Sequence, residues 1–145
     1  MRYVFTLTAK HKEANTTMSY IDTLKTINTT ELKTQMLDAA TDATDTYIRD
    51  VLKGEDAFAC GFAWVNIYPK FKGNTKDGKA ERKVIKELGF ELDYTGKRFS
   101  LWNPSKSYFQ NIDCKEAGAR AAAKVLESVG FDAYANSRLD WCYTS

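Results

Sequence analysis

The chain has one histidine, two prolines and three cysteines in 145 residues. Each scarcity excludes something. The single histidine, His11, lies in a polar stretch, which removes paired-histidine phosphoesterases, Ser-His triads and histidine-based metal sites. Cys60, Cys114 and Cys142 are odd in number, widely spaced and form no C-x-x-C, so a disulfide framework or a zinc centre is not expected and a reducing cytosol is the natural setting. No run approaches the roughly 18 apolar residues of a membrane span. The opening MRYVFTLTAKHKEANTT has no apolar core of a secretory signal. A net charge of +2 argues against a generic polyanion binder.

Aromatic residues are plentiful at 13%, and with 43% hydrophobic residues the chain can fill one ordinary core and leave rings over for a surface. Charge is uneven. Between residues 70 and 106 lie Lys70, Lys72, Lys76, Lys79, Arg82, Lys83, Lys86, Lys97, Arg98 and Lys106, against half as many acids.

Two stretches nearly repeat one another: KVIKELGFELDY (Lys83–Tyr94) and KVLESVGFDAYA (Lys124–Ala135). Each sits in the same order of elements. FACGFAWVNIYP reads as a strand closed by Pro69, KAERKVIKEL as a helix ended by Gly89, and FELDY as a strand. A Thr95-Gly96-Lys97 turn follows, then the strand RFSLWNP, the helix DCKEAGARAAAKVLESV ended by Gly130, and the strand FDAYANSRL. Asp113, with Glu116 three residues on, looks like the cap of that second helix. Two β-α-β units joined by a hairpin predict an α+β fold, the ferredoxin-like split βαβ plait, with an antiparallel sheet and two helices on one face. It is assigned to residues 57–145. Residues 1–56 form an N-terminal region packed on it, within one compact domain: a strand over Arg2–Thr8, a helical turn or two at Tyr20–Ile27, and a long amphipathic helix over Glu31–Lys53, capped by Thr29 or Thr30.

Strand alternation divides the sheet. Gly61, Ala63, Val65, Ile67, Phe99, Leu101, Phe131, Ala133 and Ala135 suit the underside of two helices. Phe62, Trp64, Tyr68, Arg98, Trp102, Tyr134 and Arg138 line the other face. The stripe of Glu31–Lys53 needs a surface, and the expectation is that it covers this aromatic face and makes it core. Only a polar rim with Asn66, Tyr68, Asn103, Asn136 and Arg138 then stays available. The alternative leaves the face open, with Trp64, Trp102, Tyr134 and Arg98 as a stacking platform for single-stranded nucleic acid.

Other chemistry is thin. GNTKDGKAERK (Gly73–Lys83) is a basic, glycine-containing loop entering a helix, where Lys76 and Lys79 suit an anion. It lacks the Ser or Thr of a phosphate-binding loop. Gln110, just before a helix, has no evident structural duty. Ser137 and Arg138 lie near the end of the last strand, beside Asp140. The expected ligand site is therefore the sheet rim: Arg138, Gln110, Ser137, Asn136, Tyr68, Lys76 and Lys79. A small enzyme would have to use Asp113, Glu116 or Cys60. The expectation is a protein without catalytic residues, cofactor or metal.

The segments GFAWV, LWNPS, YFQNID, KEAGARAAAKVL and the closing SRLD resemble a group of small accessory proteins encoded by tailed bacteriophages, from about Cys60 to Asp140. The resemblance implies a bacterial cytoplasmic setting and a role in the infected cell. The expected function is binding of a host macromolecule or small anionic ligand, to redirect host metabolism or blunt a defence. It points to Trp64, Trp102, Gln110, Lys115, Glu116, Ser137, Arg138 and Asp140. A homodimer through the Glu31–Lys53 stripe is a further possibility.

Overall fold

The computed structural model describes residues 16–140, and side chains from residue 20 onward. The strand expected at Arg2–Thr8 and the terminal Trp141 lie outside the described residues. The elements are α1 (Thr16–Thr26), α2 (Thr29–Asp50), β1 (Gly61–Ile67), α3 (Lys76–Glu87), β2 (Glu91–Leu92), β3 (Phe99–Trp102), α4 (Ile112–Ser128) and β4 (Ala133–Leu139). No described helix is long and apolar enough to cross a membrane.

The sheet has the order β2-β3-β1-β4, with every neighbouring pair antiparallel. Strands β1 and β3 are central. Each β-α-β unit therefore straddles a strand of the other, the split plait that the repeated halves imply. Both repeat helices end the same way. Gly89 and Gly130 take φ of +101° and +106°, a backbone conformation that glycine adopts without the steric penalty of a Cβ.

Burial follows strand parity. Ala63, Val65, Ile67, Phe99, Phe131 and Ala133 are buried against Val84, Ile85 and Leu88 of the α3 end and Ala119, Ala122 and Leu126 of α4. The caps of α2 and α4 sit slightly upstream of the expected positions. Asn28 caps α2, Thr75 caps α3 and Asn111 caps α4, each side-chain oxygen accepting from the N–H three residues on. Asp113 falls inside the first turn of α4, so it is not the cap.

The long helix is not where the sequence placed it. The buried stripe of α2 (Leu32, Met36, Ala40 and Thr44) lies on α4, not on the aromatic side of the sheet. The Thr44 hydroxyl donates to the Cys114 carbonyl at 2.8 Å. A Cβ added at Gly118 would meet Thr44 Oγ1 at 2.4 Å and the Ala40 carbonyl at 3.1 Å. The small residues of α4 thus serve two close neighbours, the sheet below and α2 above. This gives three layers, sheet, α3 with α4, then α2. The part of the α2 stripe from Leu32 to Thr44 is covered within the chain.

Glu81 closes the other side. It is fully buried on α3, accepting from the backbone N–H groups of Lys70 (2.8 Å) and Phe71 (3.0 Å) and from the Tyr20 hydroxyl (2.6 Å). Burial, then the bond to Glu81, pushes the Tyr20 phenol above its ordinary range. That carboxylate ties α1, α3 and the loop after β1 together.

Candidate functional site

Among the described residues no helix covers the aromatic face; α4 packs on β1 and β4 from the opposite side of the sheet. Trp64 and Trp102 are cross-strand partners on β1 and β3. Their rings stack with centroids 4.6 Å apart and planes inclined by 23°. Phe62 meets Trp102 edge-on at 6.0 Å, and Tyr68 meets Tyr134 edge-on at 5.8 Å. Trp102 is 53% exposed and Tyr134 50%, while Phe62, Trp64 and Tyr68 are half-buried. The rings support one another, and the outer pair presents ring surface to solvent.

Cations border the rings. The Arg138 guanidinium lies over Phe62 at 5.4 Å from the ring centroid. Lys115 reaches from α4, donates to the Gly61 carbonyl at 3.1 Å and lies 5.7 Å from the Phe62 centroid. Arg98 pairs with Asp93 and donates to the Tyr68 hydroxyl at 3.2 Å. Desolvation works against the Asp93 carboxylate, but hydrogen bonds from Thr95 and Arg98 outweigh it and hold it below the usual range. On Tyr134, the hydrogen bond to Asp132 and that carboxylate's charge raise the phenol pKa.

Asn66 belongs to the same face by parity, yet it is fully buried and no part of a rim. Its Oδ1 accepts from the Ser100 hydroxyl at 2.6 Å, and its Nδ2 has no partner. A buried donor left unpaired costs about 1–3 kcal/mol, and this one sits at the centre of the platform.

The rim site expected from sequence divides in two. The Gln110 carbonyl accepts from Gly61 N–H at the start of β1, and Arg138 pairs with Phe62 beside it. Tyr68, Lys76 and Lys79 belong to the far end, beyond Ile67, about 20 Å along the strand at roughly 3.3 Å per residue. Asn136 lies between, exposed on the aromatic face. Ser137 points to the helix side and donates to Glu116. Gln110 is exposed, with its N–H held by the Asp56 carboxylate at 2.8 Å.

The residues of the enzyme alternative have other partners. Glu116 is engaged by Ser137 and by Arg120 at 3.2 Å. Asp113 turns toward Tyr47, whose pKa is raised by desolvation first and then by that carboxylate. Cys60 already has a partner. Cys114 is buried, and burial foremost pushes its thiol up to about 11.

Sequence reasoning named the aromatic residues of this face correctly, but missed Glu81 and the unpaired Asn66 amide. Glu81 stands on the helix face that also carries Gly78, Val84 and Ile85, and an acid on an apolar face was the available signal. No protein-family model matches the chain, and neither does any curated protein or solved structure.

Proposed function

We propose that the chain binds single-stranded nucleic acid by stacking bases on the open aromatic face of its sheet. The observation that carries the reading is the Trp64–Trp102 stack, with Trp102 and Tyr134 half open to solvent and no described helix over them. A base laid on Trp102 extends an existing stack, and a second can lie on Tyr134. Each is worth about 1–3 kcal/mol. Every base has a π-face, so recognition tolerates sequence. Arg138 and Lys115 meet the backbone phosphates, and with so few cations the salt dependence is shallow. Such an activity suits the accessory role in an infected bacterial cell that the sequence resemblance implies, directed at nucleic acid.

The test is tryptophan fluorescence in a Trp141→Phe background, titrated with short single-stranded DNA, single-stranded RNA and a duplex. Saturable quenching by single strands but not by the duplex is expected. Emission indifferent to all three contradicts the reading.

A further inference from the structure

The two edges of the sheet are unlike. One is closed by β2, only two residues long, and a short edge strand is a poor template for further pairing. The other is β4, seven residues, AYANSRL, with no proline, glycine or lysine. Among the described residues no strand pairs with its outer side. Tyr68 N–H donates to the Asp132 carbonyl and Asp140 N–H to the Cys60 carbonyl, both at 3.0 Å. By antiparallel alternation the even-numbered residues of β4 turn their backbone groups toward β1. Ala133, Ala135, Ser137 and Leu139 therefore turn theirs outward, four donors and four acceptors in a row.

We propose that this edge pairs with the same edge of a second copy of the chain, antiparallel, about a twofold axis at Asn136. In that register Ala135 exchanges backbone bonds with the partner copy's Ser137, and Ala133 with its Leu139. The side chains on the aromatic face then match. Asn136 faces its own copy, amide to amide. Tyr134 faces Arg138, a ring against a guanidinium, at both ends of the interface. These are close, non-hydrogen-bonded pairs in which side chains interact most directly. The groove beside β4 is lined by Arg120, Lys124 and Glu127 of α4 together with Ala133 and Ala135. Leu139, 65% exposed in the single chain, gains a cover. The paired sheet has eight strands and one continuous aromatic face, although the pairing does not depend on nucleic acid and is measured without it.

The full chain is taken to sedimentation equilibrium over a concentration series. A mass rising to twice that of the chain is expected. Ala135→Pro removes an outward donor without touching the β1 ladder, and is expected to return the monomer with unchanged circular dichroism. Asn136→Cys, placed on the axis, is expected to give a covalent dimer on oxidation, above the wild-type background. Tyr134→Cys, which faces a different residue, is not. Should Ala135→Pro fail to fold, the cross-linking pair decides. A wild type that stays monomeric, or a dimer in which Asn136→Cys does not cross-link, overturns the proposal.

Discussion

Trp64 on β1 and Trp102 on β3 stand directly opposite one another and stack at 4.6 Å on a sheet face that no described helix covers. The inner ring is half-buried and gives the outer one a fixed orientation. Stacking on a pre-ordered ring avoids the entropy of immobilising it at the moment of binding.

Trp102→Ala separates binding from folding. With about half of the ring already in water, its loss costs less than about 2 kcal/mol of stability. Single-strand affinity falls by about 1–3 kcal/mol, roughly 5- to 150-fold. Fluorescence anisotropy with a labelled oligonucleotide, beside a urea melt, gives both numbers. An unchanged affinity removes Trp102 from the interface.

Gly118→Ala tests the third layer. The new methyl runs into Thr44 and the Ala40 carbonyl, backbone that cannot step aside without moving α2 from α4. A loss of about 1–3 kcal/mol is expected in the urea midpoint. An unaffected midpoint would mean that α2 does not press on α4 there.

Glu81→Ala strips the Lys70 and Phe71 N–H groups and the Tyr20 hydroxyl of their acceptor at one stroke. The Tyr20 hydroxyl is buried, while the two N–H groups are part-buried where water can replace the lost acceptor, so a loss of about 1–3 kcal/mol follows. Tyr20→Phe, which removes one bond and leaves two, is milder. Chemical denaturation ranks the two, and equal losses would contradict the shared role of the carboxylate.

Alkaline pH weakens the fold in a stated window. Burial raises the Cys114 thiol from 9.0 to about 11, and burial with the Glu81 bond raises Tyr20 as well. A group whose folded pKa is raised keeps its full contribution below the unfolded pKa. Above that value the unfolded chain releases the proton first, so stability falls as pH climbs from about 9 toward 11. Urea midpoints across that range are expected to drop, less steeply in Cys114→Ala. A flat profile would place both groups in water.

Much of this was legible in the sequence, and the reason is period. A strand alternates, so Ala63, Val65 and Ile67 separate from Phe62 and Trp64 without any knowledge of partners. The repeated Gly-Phe after each helix likewise exposed the doubled β-α-β order. The placement of α2 was not legible. A stripe such as Leu32, Met36 and Ala40 says that one side is covered but not by what. The cover is Gly118 and Cys114, more than 70 positions away, and only tertiary contact reveals it. The rim site divides for a related reason. Lys76 follows the Tyr68 end of β1, whereas Arg138 stands beside Phe62 at the other end, and only the pairing of β4 with β1 shows it.

The most direct test is a pair of signals, the indole N–H resonances of Trp64 and Trp102 in a proton–nitrogen NMR spectrum, followed as short single-stranded RNA and DNA are added. The account predicts that the Trp102 indole shifts strongly and saturably and Trp64 less. The amides of Thr44 and Gly118, on the far layer, should hold their positions. If both indoles stay fixed while the chain binds, or if nothing binds, the aromatic face is not a nucleic-acid platform.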